Sequence, residues 1–139
     1  MSVPQCLASE NADIVNYRRI KGFPFALAEA PTRTDLLGKY FRGLGDPTRL
    51  RILRLLDEAG ELSAGELVGR LGMPQPTVST HLGCLRWCGF VVARRENRSV
   101  IYRVADPRVG ELVALGESLL ADNAEHVACC RTIDRAGAD

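Results

Sequence analysis

Five cysteines are the residues of this 139-residue chain whose type and spacing can do chemistry. Cys84 and Cys88 are four residues apart, so in a helix both thiols would lie on one face, about 40° apart. Cys129 and Cys130 are adjacent near the C-terminus, and Cys6 lies near the N-terminus. Thiols so arranged can bind a soft metal ion or form a redox-active disulfide. The alternative for the pair four apart is two small buried apolar side chains.

A three-thiolate metal site is expected if a cysteine of the C-terminal segment joins the helical pair. Three thiolates suit a large thiophilic ion, whereas zinc ordinarily takes a fourth ligand. Cys130 and Cys6 are further candidates for a sulfur ligand, although Cys6 also fits an incidental exposed thiol. His81 falls near the same face, but packing or contact with a phosphate is more typical of a lone histidine than binding a metal ion. A Cys129–Cys130 disulfide would be strained and is not expected in a reducing cytosol.

The thiol pair belongs to the second helix of a predicted helix-turn-helix unit. Ser63 and Glu66 have the spacing of a capping box and open a short helix that ends at Leu71. Residues 72–74, Gly-Met-Pro, form a tight corner, and a longer helix is expected over 75–88. In such a unit the second helix enters the major groove of DNA.

Polar and basic side chains around this second helix are expected to contact DNA. Those at its start can reach base edges and phosphates, although helix-start capping is an alternative use of the hydroxyl groups. After Gly89, strand-forming runs at 90–93 and 99–102 flank a basic segment and predict a β-hairpin wing. Its arginines would contact the DNA backbone or the adjacent minor groove. The expected DNA-binding residues are Gln75, Thr77, Ser79, Thr80, His81, Arg94, Arg95 and Arg98.

Charge is distributed unevenly along the chain, although its formal net charge is only +1. Residues 74–103 carry five arginines and one acid, whereas residues 104–139 carry three arginines and seven acids. A local cationic patch on a nearly neutral protein is typical of a surface that binds phosphates. A solvated polar face is the alternative interpretation.

The remaining pattern predicts a mainly α-helical fold with a small β-hairpin. Helices are expected at 35–44 and 47–59, with Arg49 and its neighbouring arginines on a solvated side. Asp106-Pro107 repeats the helix-start signal of Asp46-Pro47 and opens a last helix. Because this last helix is very apolar for so small a domain, we expect it to form a dimer surface.

The chain is expected to form one folded domain with two extensions. No apolar run is long enough to span a membrane, and the N-terminus lacks the pattern of a signal peptide, so a cytoplasmic location is expected. The expected parts are an N-terminal arm (1–34), a winged helix-turn-helix domain (35–125) and a C-terminal tail with metal-binding cysteines (126–139).

Three motifs resemble successive hallmarks of the ArsR/SmtB family. They are Gly-Asp-Pro-Thr-Arg-Leu-Arg-Ile-Leu (45–53), Pro-Thr-Val-Ser-Thr-His-Leu (76–82) and Asn-Arg-Ser-Val-Ile-Tyr (97–102). The resemblance covers about residues 35–125. It implies a winged-helix repressor whose N- and C-terminal helices form a homodimer, and which leaves double-stranded operator DNA when a metal or metalloid ion binds.

Within that family, residues 81–92 resemble the CmtR-type cadmium/lead sensors of actinobacteria. In those proteins two cysteines of the recognition helix and one C-terminal cysteine bind the ion. The resemblance therefore implies Cys84, Cys88 and Cys129 as ligands and cadmium or lead as the inducer. Arsenite and mercury, which accept three or fewer thiolates, rank below these two ions, as does zinc.

The chain departs from other family members at two places. The Cys-x-Cys pair that some members carry at the start of the helix-turn-helix is absent, since residues 66–71 read Glu-Leu-Val-Gly-Arg-Leu. The Asp/His pattern of zinc-type sites on the last helix is poorly met, although Asp122, Glu125 and His126 imitate part of it.

Three other classes of function compete with a metal sensor. A thiol-redox repressor would share the fold and use a disulfide of the Cys88–Cys129 type as its switch. A winged-helix module could instead bind only protein. An enzyme is not expected, because the chain has no Cys-x-x-Cys, no glycine-rich phosphate loop and only two histidines.

Overall fold

The computed structural model describes residues 31–136, so Cys6 and nearly all of the predicted N-terminal arm lie outside the described residues. Helices dominate this part of the chain, with three short strands between them. The elements are α1 (Arg33–Leu44), α2 (Pro47–Ala59), β1 (Leu62–Ser63), α3 (Ala64–Leu71), α4 (Gln75–Trp87), β2 (Val91–Glu96), β3 (Ser99–Val104), α5 (Pro107–Ala128) and α6 (Arg131–Ala136).

Side-chain caps explain where three of the helices begin. The carboxylates of Asp46 and Asp106 accept backbone N–H bonds at the starts of α2 and α5, and each is followed by proline. At α3, the Ser63 hydroxyl accepts from the backbone of Glu66, whose carboxylate accepts from the backbone of Ser63. The predicted capping box and the two Asp-Pro start signals are therefore confirmed.

The core lies where α2, α3 and α4 meet one face of the small sheet. Apolar residues spaced three or four apart place one stripe of each helix in this core. The residues that are essentially inaccessible to solvent are Ile52, Leu53, Leu56, Leu67, Val78, Leu82, Leu85, Phe90 and Val91. Helix α4 thus has a buried face, and this packing holds its other faces in fixed orientation.

The sheet is antiparallel with strand order β1-β3-β2. The two long strands form the predicted wing, and they extend as far as Glu96 and Val104, which leaves a tight turn at Asn97 and Arg98. Asn97 has φ 55°, a left-handed conformation that asparagine tolerates in hairpin turns. The strand β1, which pairs Leu62 with Tyr102, was not predicted because two residues show no periodicity.

Helix α5 extends past residue 125, where the boundary between the domain and the C-terminal tail was predicted. It runs for 22 residues to Ala128, and Cys129 is its C-cap. Cys130 follows Cys129 and precedes α6, which begins at Arg131, so the two cysteines lie between two helices. Only the first turns of α5 pack on the domain, through Val109 and its neighbours.

The second half of α5 lies on the surface of the described chain. Every residue from 114 to 129 is exposed, including large apolar side chains that a solvated helix would not ordinarily carry. The exposed fractions are 60% for Leu115, 58% for Leu119, 46% for Leu120 and 47% for Val127. No helix within residues 31–136 is both long and apolar enough to cross a membrane.

Candidate metal-binding and nucleic-acid-binding site

The start of α4 presents polar side chains to solvent. Its N-cap is Pro74, and no side chain caps the first turn. Gln75, Ser79 and Thr80 are exposed, whereas Thr77 is half-buried. The Thr80 hydroxyl donates to the carbonyl of Pro76 at 3.0 Å, within the helix. The hydroxyl groups therefore do not cap this helix, and its open N-terminus can accept a phosphate.

His81 does not share that exposed surface. Only 19% of its side chain is exposed, and its Nδ1 lies 3.7 Å from Asp46 Oδ1. The same ring nitrogen is 3.5 Å from the guanidinium of Arg49. The structure thus supports the packing role for His81, while its contact with DNA stays a prediction.

The wing arginines differ in how they are held. Arg94 donates to both carboxylate oxygens of Glu61 and, at 2.9 Å, to Glu96. These hydrogen bonds hold the pKa of Glu61 below its ordinary value, so the wing is tied to the segment before β1 by a charged pair. Arg95 and Arg98 are exposed and form no ion pair within the described residues. They are therefore the wing cations most available to phosphates.

Cys84 and Cys88 lie together on α4, as the spacing predicts. Both are half-buried, and they lie close enough for Cys84 to raise the pKa of Cys88. A β-carbon at Gly43 would lie only 3.4 Å from Cys88 Sγ, so the end of α1 packs directly on this thiol. Burial raises the pKa of Cys88, as does the charge of neighbouring Cys84, whereas the cationic Lys39 lowers it. An ion must therefore displace protons to bind here.

The C-terminal cysteines do not form a three-ligand group with this pair within the described residues. Cys129 is exposed and donates its backbone N–H to the carbonyl of Glu125, while Cys130 is half-buried. Among the described residues, no three His, Cys, Asp or Glu side chains converge on a common metal position. A single protomer therefore assembles two thiols of the predicted site. The predicted third ligand requires a second chain or a movement of α5.

Arg49 is a residue of this region that the sequence pattern missed. The expectation that it lies on a solvated surface is wrong, since its guanidinium donates to the backbone carbonyls of Gly43 and Arg42. A single arginine on the polar side of a helix has no local signal that distinguishes it from a surface residue. Its role depends on where α1 ends in space.

Comparison with known proteins shows similarity over most of the chain. A family profile described as "Bacterial regulatory protein, arsR family" matches residues 46–92. The chain is 46% identical over 113 residues to a probable mercury resistance operon repressor of Streptomyces lividans, covering 81% of this chain and 90% of that protein. It is 48% identical over 86 residues to the transcriptional regulator CmtR of Mycobacterium bovis, covering 61% of this chain and 70% of that protein.

A solved structure shares the arrangement of helices and strands. It is the homodimeric winged helix-turn-helix DNA-binding domain of a possible ArsR-family transcriptional regulator from Mycobacterium bovis. The TM-score is 0.58 at 33% sequence identity, and the match covers 70% of this chain and 92% of that one. The predicted winged helix-turn-helix fold is thereby confirmed.

Proposed function

Because this chain belongs to the arsR family of bacterial regulatory proteins, we propose that it is a metal-responsive repressor. It binds operator DNA as a homodimer and is released when a thiophilic ion binds its cysteine thiolates. The observation that carries this proposal is the half-buried Cys84–Cys88 pair on the second helix of the helix-turn-helix, packed beneath α1. The family consists of transcription regulators, which agrees with the expectation that the chain is not an enzyme.

DNA binding uses the open start of α4 together with the wing. Gln75, Ser79 and Thr80 face solvent at the end of the helix where backbone N–H groups are unsatisfied. Arg95 and Arg98 add exposed positive charge on the hairpin. In a symmetric dimer the two copies of α4 enter successive major grooves, which favours an operator with two half-sites. Such a repressor acts in the cytoplasm.

The homodimer is supported by the exposed apolar residues of α5. Leu115, Leu119, Leu120 and Val127 are each about half exposed or more in the single chain. Packing this helix against a second copy removes that apolar surface from water. Cys129 ends the same helix, so dimerisation through α5 offers a route by which this cysteine approaches the partner's thiol pair.

Cadmium or lead is the inducer that fits this arrangement of three thiolates. Cys84 and Cys88 would supply two sulfurs from one protomer and Cys129 the third from the other. Soft thiolate ligands favour soft ions over hard ones. The ion would crosslink the recognition helix to the dimer helix and hold α4 in a geometry unsuited to DNA. By reciprocity, DNA weakens ion binding by the same factor, typically through a coupling free energy of about 1–3 kcal/mol.

Mercury is a second candidate inducer, favoured by a specific observation. One protomer brings together two thiols and not three within its described residues. Two thiolates are sufficient for mercury, and the chain resembles a probable mercury resistance operon repressor over 90% of that protein's length. A mercury site would therefore need only Cys84 and Cys88.

A cysteine-variant panel distinguishes these inducers. Reduced wild-type protein is titrated without oxygen with cadmium, lead, mercury and arsenite. Ultraviolet thiolate-to-metal absorption and the affinity for a promoter fragment are measured together. Cys84→Ser and Cys88→Ser should abolish the response to every ion. Cys129→Ser should abolish the response to cadmium and lead but spare a mercury site, while Cys130→Ser shows whether this further candidate ligand contributes.

Three outcomes would count against the proposal. The metal hypothesis would be refuted if wild type showed no thiolate-to-metal absorption band, or if Cys84→Ser showed the band undiminished. Release of DNA by a mild oxidant and its reversal by a thiol reductant, with no effect of metal ions, would support the thiol-redox alternative. Failure to bind any promoter fragment at low salt would favour a module that binds only protein.

A further inference from the structure

Arg49 holds the C-terminal end of α1. Its Nε donates to the carbonyl of Gly43, and its Nη2 donates to the carbonyl of Arg42 at 3.2 Å. These carbonyls belong to the last turn of the helix, where backbone acceptors lack the regular partner four residues further on and a positive charge is favourable. The side chain of an α2 residue therefore fastens α1 in place.

The same guanidinium also faces α4, the second helix of the helix-turn-helix. Arg49 Nη1 lies 3.5 Å from Nδ1 of His81, which follows Thr80 on α4. The backbone N–H of Arg49 donates to Asp46 Oδ1, and that oxygen is 3.7 Å from the same His81 nitrogen. One arginine thus contacts helices α1 and α4 from its position at the start of α2.

The backbone that Arg49 holds is the backbone that covers the thiol pair. A β-carbon at Gly43 would lie 3.4 Å from Cys88 Sγ, so the α1 backbone is next to this sulfur. An ion bound by Cys84 and Cys88 needs space beside the two sulfurs. If the ion binds on the side of the sulfurs that faces α1, the backbone of α1 at Gly43 therefore has to move.

We propose that Arg49 is the positioning residue that couples ion binding at Cys88 to the N-terminal part of α4, which is the part proposed to contact DNA. This inference rests on the proposed function. Displacement of Gly43 alters the hydrogen bonds that Arg49 makes to the end of α1. Because the same planar guanidinium faces His81, its reorientation changes the support of α4 near Thr80, next to the surface that meets DNA. Arg49 binds neither the ion nor DNA in this mechanism.

The test compares Arg49→Gln and Arg49→Lys with the control Arg51→Gln. Arg51 is an exposed arginine of α2 with no hydrogen bond or ion pair to the rest of residues 31–136, so this control removes the same charge without these contacts. One readout is hydrogen–deuterium exchange over residues 33–44 in ion-free protein. The other is the ratio of operator Kd values with and without the inducing ion, cadmium or mercury.

We expect Arg49→Gln to bind the ion with the wild-type absorption band while losing most of the coupling. Its ratio of Kd values should fall at least about fivefold toward one, within the range over which such couplings act. Exchange over α1 should rise. Arg49→Lys keeps the charge but lacks the planar fork, so its coupling should be intermediate. It also serves as the test if Arg49→Gln does not fold.

The outcomes separate this inference from the proposed function. Coupling within twofold of wild type in both Arg49 variants, or an equal loss in Arg51→Gln, overturns the role of Arg49. Faster exchange over α1 with unchanged coupling also overturns it, since the residue would then be only structural. If wild type itself shows no ion-dependent change in operator Kd, the proposed function fails, and the coupling role of Arg49 fails with it.

Discussion

Replacing Gly43 by alanine tests whether the end of α1 packs directly on the thiol pair. A β-carbon at this position would lie 3.3 Å from Phe90 Cε2, which is tighter than ordinary contact, and 3.4 Å from Cys88 Sγ, at the short limit of ordinary contact. Phe90 is fully buried, and its ring centroid is 4.4 Å from that of Tyr40. The phenyl ring therefore cannot move aside without disturbing the core.

Gly38→Ala is the matched control, because Gly38 lies in the same helix and a β-carbon there would meet no atom within 4 Å. Alanine is favoured over glycine inside a helix by about 0.8–1.0 kcal/mol, and Gly38→Ala should show this gain in full. Overpacking typically costs about 1–3 kcal/mol, which offsets the gain at Gly43. The free energy of unfolding of Gly38→Ala should therefore exceed that of Gly43→Ala by roughly 1–3 kcal/mol.

Urea unfolding of the reduced, ion-free variants measures this difference. Both proteins are compared at one protomer concentration, because the stability of an oligomer depends on it. The added methyl group next to Cys88 should also weaken ion binding by about tenfold, equivalent to 1.4 kcal/mol, with no such effect in Gly38→Ala. Equal stabilisation of the two variants, within about 0.5 kcal/mol, would refute the packing of α1 on Cys88.

Three further predictions concern protons, a helix cap and the wing. Because burial raises the pKa of Cys88, ion affinity should rise about tenfold per pH unit for each proton released between roughly pH 6 and 8. Competition titrations measure this slope, and a flat profile would contradict thiolate binding. Asp46→Ala removes the side-chain cap of α2 and should lower the free energy of unfolding by about 1 kcal/mol in urea; an unchanged value would show that the cap contributes nothing. Glu61→Gln weakens the ion pair with Arg94 and should therefore strengthen DNA binding. The slope of log K against the logarithm of salt concentration should steepen by up to about one. Weaker binding would instead mean that the ion pair positions the wing.

Start signals of the helices could be read from the sequence because they act over three or four residues. Asp46 and Asp106 cap the helices that they were predicted to open, and Ser63 forms the capping box expected from its spacing to Glu66. The side-by-side placement of Cys84 and Cys88 follows from the 3.6-residue period in the same way. Each of these features needs only one helix to be correctly placed.

Contacts between distant parts of the chain could not be read in this way. Arg94, whose contact with DNA stays a prediction, forms an ion pair with Glu61, a residue 33 positions earlier in the chain that the sequence did not indicate as its partner. Arg49 was assigned to the solvated surface, although it caps the end of α1 and faces His81. Both arginines have the sequence pattern of exposed cations, and only the packing of other elements provides their partners.

The sequence by itself determined the helix-turn-helix, the wing and the pair of thiols, because local propensity, capping and periodicity act between near neighbours. Tertiary structure decided that Cys88 lies beneath the backbone of Gly43, and that Cys129, at the end of the exposed helix α5, does not complete a three-ligand group with the pair within the described residues. The physical reason is that hydrophobic packing positions whole helices relative to each other, and no local pattern encodes that distance. For the same reason, the predicted third thiolate is the ligand that a single protomer does not bring to the pair within the described residues.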